Sequence, residues 1–410
     1  MTGPQTGPLD GFTVLDFTRV LSGPYCTMQL ADMGARVIKI EQPGKGDDTR
    51  AWGPPFVQGE SAYFLSINRN KESLTLDLKS PEAIRVLEPL LAKADVLVEN
   101  FRPGTMSRLG SRTDPGQSGS LGYEQLAERF PRLIYCSISG FGQTGPRRAE
   151  PGYDAVVQAE GGLMSITGAA DGPPFRLGVA ISDIVTGMFA AQGVAFALLA
   201  RERTGRGQLV DVGMLDATAA LLTYQAGIHF ATGATPGRMG NRHPTIVPYE
   251  TFEAADGDFV VAVGNDEQWR RFCGVLDRQT LAMDERFATN RARLANYETL
   301  RPILGEILRT RPRRAWVEAL QTAGVPCGSV RDVAEVLQDP QLEARGMIQQ
   351  VEHAVAGALR VTGIPIKLSD TPGAVRAAPP ALGQHTTEIL SKDAGLNQAD
   401  IEALRAAGVV

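Results

Sequence analysis

Short β-rich and helical segments alternate up to residue 139, and no other feature of the chain constrains its fold as strongly. A β-rich run at residues 12–17 precedes a helical pattern from Tyr25 to Met33, and Gly34 separates that pattern from a second β-rich run at residues 36–41. Further strands are predicted at residues 74–78, 95–101 and 132–139, with helices between them. This alternation predicts an α/β fold, with a large domain built on a Rossmann-like, mostly parallel sheet.

Loops rich in Gly, Pro and polar residues follow the predicted strands. Ligands of an open parallel sheet bind outside the carboxyl ends of its strands, so these loops are expected to form one binding edge. Five basic residues in or near the loops suit a phosphate-bearing ligand: Arg19, Lys45, Arg50, Arg102 and Arg108. The sequence has neither a G-x-G-x-x-G at the first helix nor a P-loop motif, which argues against a nicotinamide dinucleotide or a P-loop nucleotide. Each loop taken alone also fits an ordinary turn.

An acidic residue, Asp183, stands where a long apolar helical pattern begins. From Ile184 to Leu199 apolar residues occupy nearly every side of the helix, which predicts burial, and Gly205 is a suitable end. A carboxylate at a helix N-terminus is favoured as the anion, so Asp183 could serve as a nucleophile near neutral pH. The alternative is structural, because Ser182 or Asp183 could be a helix cap and no more.

The rest of the chain predicts a smaller domain and a return to the first one. Residues 225–330 combine several helical segments with a hairpin whose turn lies at Asp256-Gly257, as in a small α+β domain. Residues 1–220 are then the first part of the large domain, and residues 335–410 are a linker and a C-terminal segment that returns to it. Residues 111–120 are rich in Gly and Ser without periodicity, which predicts a mobile surface loop.

Composition excludes several classes of function. The formal net charge is −5 and the basic residues are dispersed, unlike the charge distribution of a nucleic-acid-binding protein. The 4 cysteines are far apart and the 4 histidines have no metal-ligand spacing, so neither a disulfide scaffold nor a metal site is predicted. No signal-peptide pattern is present at the start, and the apolar run after Asp183 is shorter than a membrane span. We therefore expect a cytoplasmic protein without a membrane anchor.

Six segments together point to one enzyme family. They are LDGFTVLDFTRVLSGP at residues 9–24, GARVIKIE at 34–41, NKESLTLDLK at 70–79, ENFRPG at 99–104, SGFGQTGP at 139–146 and TGRGQ at 204–208. With these segments the chain closely resembles the class III CoA-transferases from about residue 9 to residue 395. That family also includes carnitine CoA-transferases, formyl-CoA:oxalate CoA-transferase and the α-methylacyl-CoA racemases. Residues 111–120 look like an insertion beside the usual pattern.

The resemblance implies a nucleophilic aspartate at the position of Asp183. Its carboxylate would attack an acyl-CoA thioester to give a mixed anhydride and CoA thiolate. Successive aspartyl intermediates would then pass coenzyme A to an acceptor carboxylic acid, with no metal involved. Such covalent catalysis splits one difficult exchange into easier steps and protects the thioester from water.

The resemblance also implies where coenzyme A binds and how the chain assembles. By similarity, coenzyme A would lie on the N-terminal sheet and contact Val20, Leu21, Gln42, Leu76, Lys79, Asn100, Phe101 and Arg108. Members of the family form an interlocked homodimer in which each chain threads through the other. The predicted linkers near residues 220–250 and 330–380 fit such a dimer.

The segment Pro151-Gly-Tyr-Asp154 bears on which reaction of the family to expect. Racemase members carry a His directly before this Asp and use it with the later Asp to move the α-proton. The chain has Tyr153 at that position, so proton exchange by two bases lacks one partner and CoA transfer is favoured. A 2-methylacyl-CoA racemase and a non-catalytic CoA-binding homologue stay open as alternatives.

Residues 240–249 look like the version found in members that use succinyl-CoA and dicarboxylic acids. An arginine can hold a distal carboxylate by two charge-assisted hydrogen bonds. Arg19 or Arg242, helped by His243, is therefore expected to bind the acid, and Tyr153 and Asp154 are also expected at the substrate. The donor thioester and the acceptor acid are left open.

Overall fold

The computed structural model describes residues 7–109 and 120–410, so residues 111–119 of the predicted surface loop lie outside the described residues. Contacts between residues divide the chain into two compact units. The larger unit consists of Met1–Leu163, Arg176–Ala226 and Pro340–Val410, and the smaller unit consists of Met164–Phe175 and Gly227–Asp339. Each unit is therefore assembled from segments that are not contiguous in the sequence.

A six-stranded parallel sheet lies at the centre of the larger unit, which confirms the predicted α/β class. From one edge to the other its strands are Lys71–Thr75, Arg36–Glu41, Thr13–Asp16, Val96–Glu99, Ile134–Ser139 and Leu209–Gly213. The chain runs outward in one direction from Thr13–Asp16 and in the other direction from Val96–Glu99. The switch point between these two neighbouring strands is where open parallel sheets bind ligands.

The strand predicted at residues 74–78 is wrong in position, because the structure has Lys71–Thr75 instead. Three of its residues are polar and buried, and two of them have partners in other strands. Lys71 Nζ is 3.0 Å from Asp16 Oδ2, and Ser73 Oγ donates to Glu41 Oε1 at 2.7 Å. A pattern of apolar residues could not reveal a strand that is held by buried polar contacts.

Helices and short hairpins surround the sheet. The helices of the larger unit are Ser22–Asp32, Ala62–Ile67, Ala83–Leu91, Thr105–Arg108, Tyr123–Arg129, Asp154–Glu160, Ile181–Thr204, Met214–Ala220, Pro340–Ala344, Thr386–Lys392 and Gln398–Ala406, with a 3-10 turn at Asp48–Ala51. Its hairpins pair Phe56–Val57 with Glu60–Ser61 and Ile348–His353 with Gly357–Thr362. Leu390 and Leu404 from the two last helices are buried in the same apolar cluster as Leu15 and Ile38 of the sheet.

The smaller unit contains a three-stranded antiparallel sheet and several helices. Tyr249–Ala254 pairs with Gly257–Ala262, which confirms the predicted hairpin, and Cys327–Ser329 pairs with the second of these strands. Its helices are Asp266–Val275, Gln279–Met283, Asn290–Ala295, Tyr297–Leu308, Arg313–Thr322 and Val333–Val336. Two helices, Leu163–Ile166 and Thr223–Thr232, contain two of the four points where the chain passes from one unit to the other, and the other two points follow Phe175 and Asp339.

One long helix, Ile181–Thr204, carries Asp183 in its first turn and ends at Gly205; we call it the Asp183 helix. Its N-cap is Ala180, so the prediction that Ser182 or Asp183 caps it is wrong. The prediction of burial on all sides is also wrong, because Phe196 is 63% and Leu199 is 65% exposed. By length and composition alone this helix could cross a membrane, a test that core helices of globular proteins also pass.

Gly187 sets how closely the Asp183 helix approaches the helix Ser22–Asp32, which we call the Ser22 helix. A Cβ atom at Gly187 would lie 2.5 Å from the carbonyl oxygen of Ser22 and 3.3 Å from the backbone nitrogen of Cys26. Gly187 lies one helical turn after Asp183 and therefore on the same side of its helix. The absence of a side chain at Gly187 thus brings Asp183 against the first turn of the Ser22 helix.

Replacement of Gly187 by Ala should separate these two helices, because the new methyl group meets backbone atoms that cannot rotate away. We expect Gly187→Ala to lower the free energy of unfolding by about 1–3 kcal/mol, as overpacking of a core does. The matched control is Gly274→Ala, also in a helix, where an added Cβ meets no atom within 4 Å. Thermal unfolding measures both variants, and equal midpoints for the two would contradict the packing role of Gly187.

Candidate active site

The carboxyl group of Asp183 lies at the first turn of the Ser22 helix as well as in the first turn of its own helix. The backbone N–H and the hydroxyl of Ser22 both interact with this carboxyl group. The N–H of Ser182, at the start of the Asp183 helix, is instead taken by Asp154, whose Oδ1 accepts at 2.9 Å. Because Asp154 caps the helix from outside, the side chain of Asp183 is directed to other partners.

Burial raises the pKa of Asp183 to about 7, and the negative charge of Asp154 adds to this shift. The hydrogen bonds from Ser22 lower the pKa but do not outweigh burial. The position at a helix N-terminus was expected to favour the anion of Asp183. That expectation is wrong, because the net shift of the pKa is upward. At neutral pH a large part of Asp183 is nonetheless ionised, and this carboxylate is more basic than an ordinary aspartate.

A cavity of about 250 Å³ opens beside Asp183 at the carboxyl edge of the sheet. Its lining includes six of the predicted site residues, which are Arg19, Val20, Asn100, Phe101, Tyr153 and Asp183. Asp48, Ser22, Ser139 and Glu150 also line it. Residues far apart in the sequence thus meet at the switch point of the sheet, where the parallel topology predicts a ligand.

Asp154 and Tyr153 are neighbours with different surroundings. Tyr153 is 67% exposed and lines the cavity of Asp183. Asp154 Oδ2 accepts from Gln158 Nε2 at 2.7 Å, and Gln158 Oε1 accepts from the N–H of Leu177 at 2.9 Å. Both carboxylate oxygens of Asp154 are therefore engaged by the protein, so its predicted role at the substrate would be exerted through the Asp183 helix.

The loop after the first strand is held in a strained conformation. Asn100 accepts from the N–H of Arg19 at 2.9 Å and donates to its carbonyl oxygen at 2.7 Å. The next N–H, of Val20, donates to Asp47 Oδ1 at 3.2 Å. Val20 has φ +69°, which is unfavourable for a β-branched residue and persists only where the surroundings impose it. The loop is therefore preformed rather than free to adapt.

Buried ion pairs lie beneath this loop. Lys39 Nζ is 2.9 Å from Asp47 Oδ2, and both side chains are fully buried. Lys39 also donates to the carbonyl oxygen of Thr18 at 2.8 Å, at the start of the loop. Burial alone would raise the pKa of Asp16, but Lys71 and Lys39 outweigh it and hold this pKa at about 2. Fixed charges thus anchor the loop from below.

A second cavity of about 300 Å³ adjoins the first. Three of the predicted CoA-binding residues, Gln42, Leu76 and Lys79, line it. The two cavities share three lining residues, which are Arg19, Asp48 and Phe101. Arg19 pairs with Asp48 at 3.6 Å and its guanidinium carbon lies 5.3 Å from the centroid of the Phe101 ring. This cluster marks the passage from one cavity to the other.

Five predicted residues lie outside the linings of these two cavities, and one of them is Asp154, described above. Leu21 is buried just before the Ser22 helix, and Arg108 is exposed on the short helix Thr105–Arg108. Arg242 and His243 belong to the smaller unit. The guanidinium carbon of Arg242 lies 3.4 Å from the centroid of the Tyr297 ring, and the His243 ring stacks on Tyr249 at 5.2 Å.

Sequence reasoning missed several residues of the site. Ser22 and Ser139 lie within two of the family segments without a role predicted for either, and Asp48 and Tyr63 carry no local signal that separates them from ordinary turn and helix residues. Burial raises the pKa of Tyr63 to about 12, and the charges of Asp183 and Asp154 contribute to this. Tyr63 is therefore a protonated phenol within the field of Asp183, a relation that only the folded chain reveals.

Comparison with known proteins places this geometry in context. The model for CoA-transferase family III matches residues 9–386. Human succinyl-CoA:glutarate CoA-transferase is 40% identical over 98% of this chain and 90% of its own length. Acetyl-CoA:oxalate CoA-transferase from Acetobacter aceti is 46% identical over 88% of this chain and 90% of its own length. A solved CAIB/BAIF family protein from Brucella suis is 41% identical, with a TM-score of 0.83 over 95% of this chain and 100% of that one.

Proposed function

The chain belongs to CoA-transferase family III, and on this premise we propose that it transfers coenzyme A from succinyl-CoA to a dicarboxylic acid through covalent intermediates on Asp183. The observation that carries the proposal is the position of Asp183 in a cavity that adjoins the predicted CoA site. The names of the relatives support the substrate class, because glutarate and oxalate are both dicarboxylates.

The proposed reaction starts with attack of the Asp183 carboxylate on the thioester carbonyl. The C–S bond breaks, the electron pair leaves with the CoA thiolate, and a mixed anhydride forms between Asp183 and the donor acyl group. The thiolate then attacks the aspartyl carbonyl and releases the donor acid, so that coenzyme A is held as an aspartyl thioester. The acceptor acid reverses these two steps and leaves as its CoA thioester.

Ser22 and the raised pKa of Asp183 support this role. A carboxylate with a pKa of about 7 is a stronger nucleophile than an ordinary aspartate and is still substantially ionised at neutral pH. When the aspartyl carbon is attacked, negative charge develops on its oxygen, next to the hydroxyl and N–H of Ser22. Donors held in place before the reaction stabilise such charge without reorganisation.

Coenzyme A is proposed to occupy the second cavity and to extend its thioester into the first. Lys45 and Lys79 supply positive charge in the second cavity for phosphate groups, and Gln42 adds hydrogen-bonding capacity. The pantetheine would pass the cluster of Arg19, Asp48 and Phe101, which both cavities share. Transfer is preferred over racemisation because Tyr153, and no histidine, stands beside Asp154 at the cavity of Asp183.

Two arginines are candidates to select a dicarboxylic acid. Arg19 lines the cavity of Asp183, and its guanidinium is half-exposed there. Arg242 lies in the smaller unit, 3.9 Å from Glu298, and His243 follows it in the sequence. We favour Arg19 for the distal carboxylate, because it shares a cavity with the proposed nucleophile.

A second copy of the chain is proposed to cover the exposed apolar side of the Asp183 helix. Met188, Phe196 and Leu199 are each at least half exposed on this helix. Side chains of this size in one stripe indicate an interaction surface rather than a solvated face. This surface is consistent with the homodimer that the family resemblance implies.

Trapping tests the covalent step directly. With succinyl-CoA and hydroxylamine, we expect a hydroxamate on Asp183, detected by mass spectrometry of the peptide that contains it, because hydroxylamine captures acylated carboxylates. Asp183→Ala should lower CoA exchange by roughly a thousandfold or more, as removal of a nucleophile does. Retained exchange in Asp183→Ala, with correct folding, would rule out this residue as the nucleophile.

The pH dependence tests the electrostatics of the site. Since the pKa of Asp183 is raised to about 7, the reactive anion is lost as the pH falls below this value, and kcat/KM for the acyl-CoA should fall with it. Asp154→Asn keeps a capping oxygen for Ser182 but removes the charge, so the acid limb should shift to lower pH. Glu150→Gln, a substitution in the same cavity, is the control, and its acid limb should not shift. If the acid limb of Asp154→Asn stays at the pH of the unmodified chain, the charge of Asp154 does not raise the pKa of Asp183.

Acid selectivity tests the role of Arg19. Arg19→Gln should raise the KM for glutarate by about tenfold or more, since a charge-assisted hydrogen bond is lost, and should affect butyrate much less. Arg242→Gln is measured in parallel with both acids. If only Arg242→Gln loses the preference for the dicarboxylate, the assignment to Arg19 is wrong.

Light scattering coupled to size exclusion tests the proposed dimer. The unmodified chain should elute with twice its own mass, and Phe196→Glu combined with Leu199→Glu should give the monomer, because charges replace the apolar contact. Glu402→Gln, at an exposed position of the separate helix Gln398–Ala406, should stay dimeric. A stable dimer that persists in the double variant would place the interface elsewhere.

A further inference from the structure

Ser139 is a residue of the Asp183 cavity that the mechanism above does not use. It is the last residue of the strand Ile134–Ser139 and is 6% exposed. Ser139 lines the cavity, and among the described residues its Oγ, which is itself buried, has no hydrogen-bond partner. Burial of a hydroxyl without a partner is unfavourable, so an uncompensated hydroxyl beside a binding cavity points to a partner that arrives with the ligand.

The backbone at Ser139 is fixed on both sides. Ser139 pairs with Gly213 of the neighbouring strand, and the carbonyl oxygen of Gly140 accepts from the N–H of Leu215 at 3.0 Å. A Cβ atom at Gly140 would lie 2.7 Å from the backbone of Gly152, so these two glycines are in close contact. Because the strand end is fixed, the buried hydroxyl would reach a group in the cavity by rotation of the Ser139 side chain.

Other polar side chains near Asp183 already have partners within the protein. The hydroxyl of Ser22 interacts with Asp183 itself. The hydroxyl of Thr218 donates to Ser182 Oγ at 2.8 Å, and Asn100 is engaged on both sides by Arg19. Ser139 thus holds, beside the cavity, a hydrogen-bond donor that the folded chain has not already used.

We propose that the hydroxyl of Ser139 donates a hydrogen bond to an oxygen of the acyl or carboxylate group held beside Asp183. This inference rests on the proposed function, since that function puts such a group in the cavity. No covalent bond forms or breaks at Ser139, and its proton stays on Oγ. The residue contributes to binding the acid and to orienting its carbonyl carbon toward the Asp183 carboxylate.

Equilibrium binding is the first arm of the test. Asp183→Ala, which cannot form the anhydride, and Asp183→Ala with Ser139→Ala are titrated calorimetrically with succinyl-CoA and with free coenzyme A. We expect the second substitution to weaken succinyl-CoA binding by about tenfold and to leave binding of free coenzyme A unchanged, because only the thioester carries the acyl oxygen. Equal affinities of both proteins for succinyl-CoA would overturn the proposal.

Kinetics and stability form the second arm. Ser139→Ala alone should lower kcat/KM for the acceptor acid by about tenfold without lowering the thermal midpoint, because no protein hydrogen bond is lost. Ser137→Ala is the matched control on the same strand: Ser137 Oγ donates to Glu99 and accepts from Gln143 Nε2 at 2.7 Å, so its loss should lower the midpoint.

The two arms separate this inference from the proposed function. If the unmodified chain binds succinyl-CoA but exchanges coenzyme A with no acid, the proposed function fails, and the binding arm still decides the role of Ser139. If exchange is normal and Ser139→Ala matches the unmodified chain in both arms, Ser139 has no role at the substrate and the proposed function stands.

Discussion

The close contact between the Ser22 helix and the Asp183 helix is the constraint on which the site depends. A glycine at position 187 allows this contact, because any side chain there would meet the backbone of Ser22. The contact places the carboxyl group of Asp183 against the N–H and hydroxyl of Ser22, while Asp154 satisfies the first turn of the helix that carries Asp183. Burial, a neighbouring carboxylate and two donors then set the pKa of Asp183 together. An aspartate on the surface of a helix end would have none of these influences except the helix dipole.

Buried charges make the opposite wall of the cavity rigid. Removing Lys39, Asp47, Lys71 and Asp16 from water is costly, and the pairs are tolerated because each charge has a close partner of opposite sign. The pairs hold the loop after the first strand in place, because Asp47 accepts from the N–H of Val20 and Lys39 donates to the carbonyl oxygen of Thr18. The strained loop that results lies between the two cavities. Rigid placement of this loop is consistent with a site that must align a long thioester substrate with one carboxylate.

Much of the fold could be predicted from the sequence, because alternating strand and helix patterns specify a parallel sheet and its ligand-binding edge. The position of Asp183 in the first turn of an apolar helix was also predictable. The strand Lys71–Thr75 was misplaced because its polar residues are satisfied by Asp16 and Glu41 in other strands. The cap of the Asp183 helix could not be predicted, since Asp154 lies on a preceding helix, and neither could the raised pKa that depends on it. Contacts between distant segments decide these features, and local patterns do not record them.

Transfer of oxygen into Asp183 is the most direct test of covalent catalysis by this residue. If the acceptor acid is labelled with ¹⁸O in its carboxylates, each turnover passes a bridging oxygen of the anhydride to the enzyme. After many turnovers with succinyl-CoA as donor, mass spectrometry should find ¹⁸O in the peptide that contains Asp183 and at no other carboxylate. Repeated exchange of coenzyme A without label in Asp183 would contradict the account, because no anhydride on this residue could then lie on the reaction path.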